Sequence, residues 1–192
     1  MYTVENAKVV PLVRSSETGR ARGSLIQQHV DWLREYGSRD EIISLFESLN
    51  PSLRHQVTAA QPAQWYHFGV VVELQLAIAS HFACGDERFI EKIGAHAAQR
   101  QIAPLREYTD LRRIHDFFRT TAVLHRDSLD FGSSDYMSLG EDNGTMVVTG
   151  LASAPSHRAY LMGFYRETII QHGGRDATTR EGAPGMFDMC WR

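Results

Sequence analysis

From Arg22 onward, apolar residues recur every three or four positions. Leu25, Ile26, His29, Val30, Leu33 and Tyr36 share one helical stripe, and Gly37 follows where helices commonly end. Asp40 opens a second predicted helix through Ile42, Ile43, Leu45, Phe46 and Leu49, which Asn50-Pro51 stops. A short amphipathic piece spans Ser52–Ala59. The most hydrophobic stretch, Gln64–Cys84, carries Trp65, Phe68, Val71, Val72, Ile78, Ala79 and Phe82 nearly all round, which predicts a central helix ended by Gly85. Asp86 caps the next, with Phe89, Ile90, Ile93, Ala97 and Ile102. Pro104 suits the first turn of a further long helix through Leu105, Tyr108, Leu111, Ile114, Phe117, Phe118 and Leu124.

After Gly132 the period shortens. Met137–Glu141 and Met146–Leu151 flank Asp142-Asn143-Gly144-Thr145, and Asn-Gly predicts a tight hairpin. A two-residue turn there pairs Leu139 with Val148 and Met137 with Gly150, placing Met137, Leu139, Met146 and Val148 on one face. A helix over Ser156–His172 follows, burying Leu161, Phe164, Tyr165, Thr168 and Ile169, and Gly173-Gly174 ends it. Asp176–Glu181 and Met186–Trp191 form a second hairpin with Phe187, Met189 and Trp191 on one face. Residues 1–20 read as a lead-in with an edge strand around Pro11, and 21–192 as a single α+β domain. In that domain an N-terminal helical layer packs on a small antiparallel sheet built as hairpin, helix, hairpin.

Composition agrees with a packed domain: of 192 residues, 43% are hydrophobic and 22% charged, with only 6 Pro, which excludes a disordered or low-complexity chain. A net charge of −3 gives no pull on nucleic acid or anionic lipid. The basic residues Arg112, Arg113, Arg119 and Arg126 alternate with Asp110, Asp116 and Asp127, as on a solvated helix face. With no secretory segment and no membrane span, the sequence reads as a soluble cytoplasmic protein. Cys84 and Cys190 stand far apart and read as two buried small hydrophobes. Phosphate loops, His-Glu-x-x-His and Gly-x-Ser-x-Gly are all absent, and the nine histidines are scattered. His115 and Asp116 are neighbours, which on a helix face different ways. No catalytic set assembles, so no enzyme is expected.

The ordered segments Arg22-Gly23-Ser24-Leu25-Ile26, Trp32-Leu33-Arg34-Glu35-Tyr36-Gly37, Trp65-Tyr66-His67-Phe68, Gly85-Asp86, Ile93-Gly94, Ala97-Ala98, Gly163-Phe164-Tyr165 and Gly173-Gly174 resemble an uncharacterised paralogous family abundant in myxobacteria. The C-terminal half, with Leu161-Met162-Gly163-Phe164, a Gly-containing turn and two final strands ending in an aromatic, is also similar to a wider superfamily. That superfamily comprises the heme–nitric-oxide-binding (H-NOX) domains, the 4-vinyl-reductase-type ligand-binding domains and the TRAPP tethering subunits. The resemblance implies a helical layer over a small sheet, with an apolar cavity between them.

Two readings follow. One is a non-enzymatic, regulatory module that binds a hydrophobic small molecule or a protein partner, requires no cofactor, and lines its pocket with Trp65, Phe68, Phe117 and Phe118. The resemblance also implies that a homodimer can form through the helices. The alternative is a heme-based gas sensor with His125 as axial ligand, eight residues after Phe117 as in the heme-binding relatives. Those relatives hold the heme propionates with Tyr-x-Ser-x-Arg; the corresponding positions here are Leu151, Ser153 and Pro155, and only the serine matches. Ser156-His157-Arg158 offers a cation three residues out of register. His125 also reads simply as a polar residue near a helix end, where the dipole favours it.

Overall fold

The computed structural model describes residues 19–108 and 114–192, with the backbone alone over 103–108. The strand expected around Pro11 and the Arg112-Arg113 pair lie outside the described residues. The chain is α+β. It begins with β1 (Arg20–Arg22), α1 (Gly23–Tyr36), α2 (Arg39–Ser48) and α3 (Pro51–Thr58). The α1 stripe buries Leu25, Ile26, His29 and Leu33.

Ser38, not Asp40, opens α2. Its hydroxyl accepts from the Glu41 N–H, and the Glu41 carboxylate accepts from the Ser38 N–H at 2.8 Å. This reciprocal box satisfies two helix-end donors. Ser38→Ala is expected to cost about 1 kcal/mol in urea unfolding, and an unchanged midpoint would contradict the cap. Helix α2 stops at Ser48 with Leu49 at its C-cap, and Asn50 caps α3, accepting from Leu53 N–H at 2.8 Å with Pro51 in the first turn.

The helix expected from Gln64 starts later, as α4 (Phe68–Ala83), because Trp65–His67 form β2, antiparallel to β1. A three-residue strand leaves no period to read, and its partner lies far upstream. The Arg22 guanidinium covers the Trp65 ring at 4.2 Å and reinforces this pairing. Cys84 ends α4 in the left-handed conformation at φ 51. Both cysteines are exposed, correcting the buried reading: Cys84 sits at a surface helix end, and Cys190 alternates off the outer face of the last strand.

A 3-10 turn over Glu87–Ile90, capped by Asp86, leads into α5 (Glu91–Tyr108). Pro104 therefore falls inside α5, and the next helix, α6, covers Ile114–Ser128. Proline fits a first turn without requiring one, and here the apolar period through Ile102 and Leu105 continues past it.

The rear half is β3 (Ser133–Ser138), β4 (Asn143–Thr149), α7 (Pro155–Gln171), β5 (Thr178–Glu181) and β6 (Met186–Cys190). The strands form an antiparallel sheet in the order β3-β4-β6-β5. Phe187, Met189 and Trp191 face inward as expected. The first hairpin has a different register: Tyr136 opposes Met146 and Ser138 opposes Gly144, so Asn143-Gly144 lie within β4 and the turn falls at 139–142. The shift is odd, which turns Met137 and Leu139 outward and brings Ser134 to the inner face. The reason is that β4 is an interior strand. Its second edge pairs Asn143 with Cys190 and Met146 with Phe187, and that ladder outweighs a local turn preference.

The inner sheet face packs on α6 and α7 through Phe118–Tyr136 (5.3 Å between ring centres) and Tyr165–Phe187 (5.5 Å). Helices α5 and α7 cross backbone to backbone. A Cβ on Gly94 would lie 1.9 Å from the Tyr160 carbonyl oxygen, and one on Gly163 would lie 1.9 Å from that of Glu91. No single helix among the described residues is long and apolar enough to cross a membrane.

Candidate functional site

Between α6 and α7, and bounded by α1, α5 and β3, lies a cavity of about 440 Å³. That is within the range of small-molecule sites. Leu25, Leu124, Leu129, Leu161 and Phe164 supply apolar wall, and the exposed Arg100, Gln101 and Asp127 mark its mouth. His125, Ser134, His157 and Tyr160 bring polar atoms to the lining. A second hollow, of about 470 Å³ between α1, α2 and α3, has neither a histidine nor an unpaired buried polar atom in its lining.

His125 stands in the last turn of α6. Its Nε2–H donates to the Phe131 carbonyl at 2.8 Å, so in the neutral ring the lone pair is on Nδ1. Burial lowers its pKa and favours that neutral form. Gly132, at φ 64, makes the bend just after the Phe131 carbonyl.

Behind the cavity runs a buried polar chain from three helices. The Leu25 carbonyl can only accept, so His29 Nδ1 carries the hydrogen (2.7 Å). His29 Nε2 must then accept, and it faces the amide nitrogen of Gln75 at 3.0 Å. The second hydrogen of that amide goes to His157 Nδ1 at 3.2 Å, while the Ser156 hydroxyl donates to Gln75 Oε1 at 3.0 Å. One backbone carbonyl thus sets two tautomers, and His157 is left with its hydrogen on Nε2. Desolvation holds His29 down at about 4 and His157 at about 3, the latter helped by the nearby rings of His29 and His125. Tyr160 stacks between His29 (5.5 Å) and His157 (5.2 Å) and donates its hydroxyl to Gln28 Oε1. Burial raises the phenols of Tyr160 and Tyr165 well above their ordinary value, so both stay neutral.

Of the pocket residues expected from the sequence, His125 lines this cavity. Phe68 lies one layer behind, with its ring against His157 at 5.0 Å and Phe131 at 4.9 Å. Phe118 packs on Tyr165 at 5.8 Å, and Phe117 packs on Phe118 and His172. Trp65 sits apart, on β2 beneath Arg22. Sequence reasoning missed Gln75, His157 and Tyr160. The signal was present: the stripe read from Leu161 extends one turn back through Tyr160 and His157. Polar residues on the core stripes of α1, α4 and α7 are the mark of a buried network.

No family model matches the sequence, and no curated protein matches it by sequence. Among solved structures, an Fe(II) unliganded H-NOX protein from K. algicida is similar at a TM-score of 0.62 and 8% identity, over 89% of this chain and 96% of that one. A variant of the T. tengcongensis H-NOX gives a TM-score of 0.61 and 11% identity, over 89% and 97%. An H-NOX protein solved to probe heme distortion gives 0.66 and 10%, over 89% and 95%. The chain has the H-NOX fold. The similarity to TRAPP subunits and 4-vinyl-reductase-type domains stays a sequence resemblance.

Within that fold, the residues meet the needs of heme only in part. His125 offers a neutral imidazole at the cavity wall, but its Nε2 is engaged by Phe131. At the propionate-clamp positions stand the buried Leu151, Ser153, and Pro155 in the first turn of α7. The out-of-register Arg158 is not available, since it pairs with Glu181 at 2.6 Å and donates to the carbonyls of Leu151 and Ala152. The guanidinium lining the cavity mouth belongs to Arg100, which pairs with Glu35 at 3.1 Å across exposed surface. Exposed pairs of this kind are weak and can be exchanged for another anion.

Proposed function

We propose that this chain is a non-enzymatic, regulatory ligand-binding domain whose ligand occupies the cavity between α6 and α7. The observation that carries this reading is the cavity itself, large enough for a small molecule, apolar over much of its wall and supplied with neutral imidazoles. The superfamily resemblance, which implies an apolar ligand cavity beside a small sheet, supports the reading, and Ser134 of β3 is part of the lining. The resemblance to the myxobacterial family adds no activity. Two of its motifs, Ile93-Gly94 and Gly163-Phe164, contain the glycines of the α5–α7 crossing, so they report on the fold.

Heme is the specific ligand favoured by His125 and by the H-NOX fold. His125 would then give the axial imidazole and Arg100 a counter-charge for a carboxylate at the mouth, while bound heme would supply an iron able to take up a diatomic gas. The test is reconstitution with hemin under reducing conditions. A Soret band at one heme per chain, lost in His125→Ala, is the result expected of heme binding. Without a Soret band, a small-molecule mass retained in native mass spectrometry supports the broader reading. Failure of both overturns the ligand-binding assignment.

A further inference from the structure

The cavity contains a polar group prepared for an occupant. His157 is 2% exposed and lines the cavity; its Nδ1 accepts from Gln75, which leaves Nε2–H as the donor on the far side of the ring. Nε2–H is not among the sealed polar atoms of the interior, so it opens on the cavity, and an occupant that displaces cavity water must offer it an acceptor or leave it unpaired at about 1–3 kcal/mol. The tautomer cannot relax to avoid this cost. Moving the hydrogen to Nδ1 would set two donors face to face at Gln75, and turning that amide would break the match with His29, which the Leu25 carbonyl holds in place. Ser134 adds a second polar group from β3: its hydroxyl is buried, unpartnered and part of the same lining.

We infer that His157 is a ligand-binding residue that donates Nε2–H to an acceptor oxygen on the occupant, with the Gln75–His29 chain holding it as a donor. The ligand class is therefore an apolar body bearing a carbonyl or comparable acceptor, not a pure hydrocarbon. This inference rests on the cavity being a ligand site, and it assigns His157 a role separate from that of His125.

The probes are benzophenone and diphenylmethane, which share a carbon skeleton and differ by one carbonyl. Both are titrated into the full chain by NMR, following the imidazole ¹⁵N signals. The wild type should bind both, with the His157 Nε2–H resonance moving on adding the ketone and not the hydrocarbon. In His157→Phe the ketone-to-hydrocarbon affinity ratio should fall about tenfold, the scale of one hydrogen bond in a water-poor site. His157→Gln, which keeps an N–H donor, should restore part of it. If both probes bind but the ratio is unchanged in His157→Phe, or the wild-type resonance does not respond to the ketone, the donor role is overturned while the ligand site stands. If neither probe binds, this inference is overturned, while the ligand site itself is decided separately by the hemin and native-mass measurements. The resonance readout needs no variant, so it decides the matter even where His157→Phe does not fold.

Discussion

Gly163→Ala should lower the stability of this chain by about 3 kcal/mol, the upper end of what overpacking costs. At this chain length that is a drop of about 10 °C in Tm. The methyl group is small, but it has nowhere to go. Its carbon would lie 1.9 Å from the Glu91 carbonyl oxygen and 2.6 Å from the carbonyl carbon, both backbone atoms of the partner helix. A flexible side chain could swing aside, whereas a helix backbone must move as a whole. Gly94 makes the reciprocal approach to Tyr160, so α5 and α7 touch along a seam that two glycines permit. Because α7 also carries His157, Tyr160, Phe164 and Tyr165, separating the two helices should loosen the cavity wall as well as the core. Chemical unfolding of Gly163→Ala and Gly94→Ala checks this. A loss below about 1 kcal/mol in both would show that the helices do not meet as closely as described.

The second large effect is destabilisation in mild acid. In an unfolded chain the His29 and His157 imidazoles take up protons near pH 6.5; in the folded chain burial delays this to about 4 and about 3. Between those limits the unfolded state binds more protons. Their contribution is therefore complete above pH 6.5 and is lost as pH falls. Each ring should remove about 1.4 kcal/mol per pH unit, and His125, whose pKa burial also lowers, acts in the same direction. Urea-unfolding free energies measured from pH 7.5 to 4.5 should fall steeply below pH 6.5. His157→Phe should show a visibly shallower fall, since one of the two fully buried rings no longer titrates. A flat profile across that range would mean that the imidazoles are hydrated or charged in the folded state, and the tautomer chain through Gln75 would then be wrong.

The helices and the second hairpin were legible because their information is local. An amphipathic period records which side of a helix loses contact with water, so α1 and α7 could be read to within a residue or two from Leu33 or Ile169 and their neighbours. The alternation of Phe187, Met189 and Trp191 recorded the inner sheet face in the same way. His125 was picked out by a resemblance, and the fold places it on the cavity wall. The strand register, the short β1–β2 pair and the composition of the cavity were not legible. Each depends on a partner remote in sequence: β6 for Asn143-Gly144, Arg22 for Trp65, and Gln75 for His157.

The chain by itself determined which stretches coil, which extend, and which faces turn from water, since those preferences come from neighbours three or four residues away in a helix and two in a strand. Tertiary packing alone decided where α5 and α7 touch, which edge of β4 sets its register, and which nitrogen of His157 bears the hydrogen. These are outcomes of hydrogen-bond matching and steric fit between segments that first meet on folding. Periodicity carries no record of them.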